Sequence, residues 1–163
     1  IQSLLNPEGL LEQPIIGNEI AFLIDVLVEA PEHKPFILKI KSKLDNYSID
    51  KEEGIITVND LKTTGDLINN FAKGAIIKYH YYREMALYSW LLTMAAKKNY
   101  NIENPKIRSN FLVVETIPNF NTKVVPMTRE LFNKGFKEFT HLLKLVAFYC
   151  MHGYEGFGIT QET

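Results

Sequence analysis

Three runs of β-forming and apolar residues, 19–29, 36–49 and 55–61, are separated by two short breaks, and those breaks leave the first half of the chain little choice of fold. The first, Pro31-Glu32-His33-Lys34-Pro35, carries two prolines, which lack the N–H a ladder or helix needs, so neither continues through it. The second, Asp50-Lys51-Glu52-Glu53-Gly54, is a turn closed by glycine. Connections this short join neighbouring antiparallel strands, whereas parallel neighbours need a crossover of about a dozen residues or more. The sequence therefore predicts an antiparallel meander.

Beyond it the period changes. Residues 66–73 read as a short helix and 77–98 as a long one, with Tyr81, Met85, Tyr88, Leu92 and Ala95 recurring on one face. Residues 108–116 alternate as a strand, and 122–126 can pair with them. Residues 128–151 form a final helix, with Thr128 as N-cap, Glu130 in the first turn and Gly153 as its stop. The order β-β-β-α-α-β-β-α predicts an α/β domain with a mixed central sheet flanked by helices. Residues 1–17 are mixed, with a turn at Pro7-Glu8-Gly9 and a short helix around 9–13. Starting at Ile1 and not Met, the chain is expected to be a piece of a longer protein, with 1–163 as a single domain.

Bulk properties exclude some functions. A net charge of −1 gives no global positive field, so any nucleic-acid binding must rely on local patches and on metal ions at phosphate. The lone Cys150 excludes an internal disulfide and a cysteine-based zinc site. In the apolar run 145–151 it is expected to be a buried, inert thiol, which suits a reducing cytoplasm. No apolar stretch approaches the ~20 residues that span a bilayer, and no signal peptide is legible, so no membrane association is expected.

Two carboxylates and a lysine stand out. Asp45 lies within the second strand, and Asp60 and Lys62 end the third. Strand side chains alternate, so Asp60 and Lys62 project together, and the hairpin at 50–54 brings Asp45 alongside. Two carboxylates suit a hard divalent ion such as Mg2+ or Mn2+, and a neighbouring lysine suits an attacking water and developing phosphorane charge. The alternative is ordinary: D-x-K at a strand end also describes a solvated surface pair.

The segment from Lys41 to Thr64, K-S-K-L-D-N-Y-S-I-D-K-E-E-G-I-I-T-V-N-D-L-K-T-T, resembles the core of phage-type RecE (exodeoxyribonuclease VIII) exonucleases of the PD-(D/E)xK superfamily. The likeness continues in order through Tyr81-Tyr82-Arg83-Glu84-Met85-Ala86-Leu87-Tyr88, which fits that group's "Y-x-x-Q-x-x-x-Y" except at Glu84. It then runs through Phe111-Leu112-Val113-Val114-Glu115 for "F-x-x-x-E" and Gly153-Tyr154-Glu155-Gly156-Phe157 for "G-W-x-G-Y". The resemblance implies a restriction-endonuclease-like core and a Mg2+-dependent exonuclease, with Mn2+ as substitute, that hydrolyses duplex DNA ends in phage recombination. It implies Asp45 and Asp60 as metal ligands, the Leu61 main-chain carbonyl in the metal shell, and Lys62 at the attacking water. It also implies a homo-oligomer, a single-strand annealing partner and the cytoplasm of a bacterial or phage-infected cell.

Two departures are visible. Glu84 stands where the group has glutamine, either as an added site carboxylate or as a helical residue pairing with Arg83 or Lys78. No helix before Glu19 carries that group's first acidic residue, so it lies in a missing N-terminal helical segment or is supplied by Glu19, less readily by Glu12. Lys39, Lys41 and Lys43 share Asp45's parity, as a solvated strand face or as a lysine row guiding DNA phosphate. Thr63 and Thr64 continue the D-x-K strand as DNA contacts. The cluster Tyr79, His80, Tyr81, Tyr82, Tyr88 and Trp90 offers either core packing or base stacking, with Tyr88 as a candidate DNA contact. The four histidines show no metal-ligand spacing. If the site is incomplete, a non-catalytic DNA-binding or assembly module on the same fold remains the competing function.

Overall fold

A computed structural model describes residues 15–30, 33–116 and 120–153, so the expected turn at 7–9 and helix at 9–13 lie outside the described residues. The meander is present. β1 (Ile15–Ala30), β2 (His33–Asp50) and β3 (Ile55–Thr64) are consecutive antiparallel neighbours, each longer than its apolar run. Gly54, at φ 62°, supplies the left-handed residue that the β2–β3 turn requires.

The helical crossover follows: α1 (Ile68–Asn70), a π-helical turn (Phe71–Ala75), α2 (Ile76–Lys78) and α3 (Tyr81–Tyr100). It returns the chain to β4 (Lys106–Glu115), which lies parallel to β3, and β5 (Thr122–Pro126) pairs antiparallel with β4. The five-stranded mixed sheet has the order β1-β2-β3-β4-β5. α4 (Arg129–His152) is capped as expected, Thr128 accepting the Leu131 N–H and Gly153 ending the helix at φ 69°.

Two expectations are corrected. The helix over 77–98 is broken at Tyr79 and His80, where His80 takes left-handed φ 56° and α3 starts anew at Tyr81. Cys150 is exposed and not buried. The buried positions of α4 are Gly135, Phe139 and Ala147, and Cys150 falls on the flank of that stripe.

On one face of the sheet, Leu44, Tyr47, Ile49, Ile56, Val58, Phe111 and Val113 meet Tyr82, Met85, Leu92 and Ala96 of α3 in one core. Gly135 lets α4 cross α3 closely, since a Cβ there would sit 2.3 Å from the Tyr82 carbonyl oxygen. The opposite face, with Asn59, Leu61 and Thr63 on β3, is not covered by any described element.

β2 stays paired with β3 only from Asn46 to Asp50; before Asn46 it leaves with β1 as a two-stranded ribbon. A fork opens between β2 and β3 at that point, and the first turns of α3 lie over it.

Candidate functional site

The fork holds the site. Alternation along β3 puts Asp60 and Lys62 on the helix-covered face with Ile56 and Val58, and Asp60 is only 4% exposed. Asp45 arrives there by a backbone irregularity. On β2, Leu38 and Leu44 are buried at even positions, whereas Tyr47 and Ile49 are buried at odd ones. The switch falls at Asp45, opposite Glu19, which takes left-handed φ 54°; both residues are skipped in the ladder, whose register is the same at Asn18↔Asn46 and Ile20↔Leu44. Asp45 is thereby separated from Lys39, Lys41 and Lys43, whose parity it shares in sequence. The Asp45 Oδ2 accepts the Leu61 N–H at 2.8 Å, closing the fork. In an extended residue N–H and C=O point the same way, so the Leu61 carbonyl is directed to the Asp45 side of β3.

Lys62 is not the solvated strand-end residue that position alone suggests. Its side chain is 16% exposed, its Nζ lies 2.8 Å from Asp60 Oδ2 and 3.0 Å from Glu84 Oε2, and it sits 4.6 Å above the Tyr81 ring. The Tyr88 hydroxyl donates to the other Glu84 oxygen at 2.7 Å. Glu84 therefore faces the site from α3, pairing with neither Arg83, which bridges to Glu138, nor Lys78.

Burial raises the Asp60 pKa from 3.8 to about 6, the charges of Glu84 and Asp45 push the same way, and the Lys62 contact opposes them. Burial alone would lower the Lys62 pKa, but its contacts with Asp60 and Glu84 outweigh it and hold the ammonium charged. Burial and the Glu84 carboxylate raise the Tyr88 phenol, keeping it a donor.

Asp60 Oδ2 is buried and met by the Lys62 ammonium at 2.8 Å, off the line of a well-aligned hydrogen bond. Three carboxylates around one ammonium leave a net charge of −2 when all are ionised, so a divalent cation would neutralise the centre. No group of three His, Cys, Asp or Glu converges in metal-holding geometry among the described residues, and Lys62 stands between Asp60 and Glu84. Two carboxylates and a backbone carbonyl nonetheless suit Mg2+, which typically keeps several waters and takes one or two protein carboxylates.

Other expected residues lie elsewhere. Glu19 is 63% exposed and ion-paired to Lys43. Lys41 and Lys43 are exposed on the uncovered face, Lys39 pairs with Asp25, and Thr63 also points to that face. Thr64 ends β3, its carbonyl accepting the Thr116 N–H at 2.9 Å. Tyr88 serves the site through its hydroxyl. The aromatic cluster divides: Tyr82 is core at 1% exposure, whereas Tyr79 is 56% exposed.

Sequence reasoning missed the part of Tyr81 beneath Lys62 and that of Glu115. Glu115 is 1% exposed, and its two oxygens accept the Ile68 N–H and the Asn121 amide, each at 2.7 Å, pinning the start of the crossover. A carboxylate closing an apolar alternating strand was the available signal.

The sequence matches no protein-family model and is significantly similar to no curated protein. Among the described residues, no helix is long and apolar enough to cross a membrane.

Proposed function

We propose that the chain is a metal-dependent deoxyribonuclease that hydrolyses phosphodiester bonds at the ends of duplex DNA, on a restriction-endonuclease-like core. The observation that carries this reading is Lys62, largely buried and held charged between the carboxylates of Asp60 and Glu84. Asp45, Asp60 and the Leu61 carbonyl are the groups that would hold Mg2+ or Mn2+. When bound, such an ion supplies Lewis acidity at the phosphate and lowers the pKa of water. The chain supplies the rest. Lys62 orients the incoming water and faces the negative charge that develops on the phosphorane, a preorganised cation in a water-poor setting. Glu84 and Tyr88 fix that ammonium in place, and Tyr81 backs it. Action at DNA ends, a homo-oligomeric assembly and an annealing partner rest on the sequence resemblance alone.

The test is hydrolysis of a linear duplex and of a covalently closed circle of the same sequence, each with Mg2+. The reading predicts degradation of the linear form only. Cutting of both would replace the exonuclease with an endonuclease. Glu84 in the glutamine position favours one second reading, a DNA-binding or assembly module without catalysis. It predicts that both forms are bound and neither is cut.

A further inference from the structure

Beside the site, past the end of β3, lies a cavity of about 470 Å3 lined by Thr64, Asn70, Phe71, Gly74, Lys78 and Tyr79. Its volume falls in the range of about 300–1,000 Å3 that takes one small organic ligand. Two uncommon backbone forms shape it. The π-helical turn Phe71–Ala75 forms one wall, and such turns recur at functional sites. The left-handed His80 interrupts the helix at the other wall, the kind of local strain that is retained where a site needs it. That break leaves Tyr79 more than half exposed while Phe71 is buried in the floor.

Two aromatic rings connect the cavity wall to the site. The Tyr79 and Tyr81 centroids are 5.6 Å apart, and Lys62 Nζ lies 4.6 Å over Tyr81. Lys78 Nζ sits 5.1 Å over the Tyr79 ring and makes no ion pair among the described residues. The carboxylate nearest to it in the lining, Asp66, is turned to the Leu67 N–H and the Asn70 amide. A largely exposed ring with a cation that makes no ion pair at its side, one ring from the proposed water-orienting lysine, is the chemistry that receives a base and its phosphate.

We propose that this cavity binds the nucleotide adjoining the bond to be cut, with its base unpaired and stacked on Tyr79 and its phosphate at Lys78. The inference rests on the nuclease reading, and it makes the substrate a frayed end and not an intact base pair. An aromatic stack of this kind typically changes affinity by roughly ten- to a hundredfold per base.

The test is a cycle between protein and DNA. Full-length Lys62→Ala protein, so that no cutting interferes, is titrated with a fluorescently labelled linear duplex carrying either an intact or an abasic terminal nucleotide, at the 5′ or the 3′ end, and Kd is read by anisotropy. Tyr79→Ala, which removes a largely exposed ring, should weaken binding of the intact end about tenfold or more. It should change binding of the abasic end little, for one of the two strand polarities, and Tyr79→Phe should restore the intact-end affinity. Equal affinities of the Tyr79 variants for intact and abasic ends of both polarities would overturn the cavity assignment while leaving the nuclease reading standing. The Tyr79 dependence together with wild-type protein that cuts no DNA with Mg2+ or Mn2+ would overturn the nuclease reading and keep the cavity.

Discussion

On β2 and β3, adjacent residues face opposite ways and meet opposite fates. Asn46 and Asn59 point to the uncovered face and belong to a ladder across four strands. Asn46 donates to Asn18 at 2.8 Å, Asn59 to Asn46 at 2.6 Å and Asn110 to Asn59 at 3.0 Å. One residue away, Asp45 and Asp60 turn beneath α3, where carboxylates crowd one another and burial pushes the Asp60 pKa up. The amide row is neutral and its members complete one another's hydrogen bonds, which pins strand register. The carboxylate centre is left electrostatically incomplete in the protein alone. Partners that satisfy each other stabilise a fold; a buried group left wanting is poised for a ligand or a reaction.

The largest effect should come from Lys62. Lys62→Ala should slow hydrolysis by at least on the order of 10²–10³-fold, the usual loss on removing one preorganised group at developing charge. It should also raise the Asp60 pKa further, because the cation that opposes burial is gone. Single-turnover cleavage across pH reads both, and wild-type rates in the variant would erase the functional side of the contrast.

Next comes the stability of the same centre. The Asp60 pKa is higher folded, at about 6, than its ordinary 3.8, so the folded state holds the proton more tightly. Its contribution is therefore fully present below pH 4 and is lost as pH rises through 6. Asp60→Asn, an uncharged isostere, should stabilise the metal-free protein at pH 7.5 by about 2–3 kcal/mol, or several degrees in Tm, and confer no such gain at pH 4. The same variant should lose hydrolysis. Thermal melts at the two pH values, without divalent metal, check it. A lower Tm at pH 7.5 would mean that Asp60 is a structural ion-pair partner and nothing more.

The ladder should behave in reverse. Asn59→Ala removes the middle link and both of its hydrogen bonds, which should cost about 1–2 kcal/mol in denaturant unfolding. Hydrolysis by the folded variant should be unchanged. A rate loss like that of Lys62→Ala would show that the two faces are coupled.

The smallest effect belongs to Glu84. Glu84→Gln keeps the shape and the bond from Tyr88 while removing one charge that raises Asp60. Activity should persist, and the acid limb of the pH–rate profile should move to lower pH. A limb that stays in place would show that it does not report Asp60.

Much of this was legible in the sequence, for identifiable reasons. The five strands, the final helix and its caps follow from short breaks, alternation and Thr128/Gly153. Asp60 and Lys62 follow from alternation alone. Asp45 does not: its parity groups it with Lys41 and Lys43, and only the paired irregularity with Glu19 turns it to Asp60. A left-handed glutamate leaves no compositional mark, nor does a left-handed histidine inside the periodic run at 77–98. The asparagine ladder needs the register of four strands, which no single segment encodes. The environment of Lys62 is likewise tertiary, since α3 covers a strand end that would otherwise be solvated.

The central claim is that this centre hydrolyses DNA only with a divalent ion in place. The direct measurement is the cleavage rate of a linear duplex by wild-type protein, folded by its thermal melt, in EDTA, in Mg2+ and in Mn2+. The account predicts no cleavage in EDTA and progressive loss of duplex in either metal. Intact duplex under all three conditions would contradict it, as would equal cleavage with and without metal.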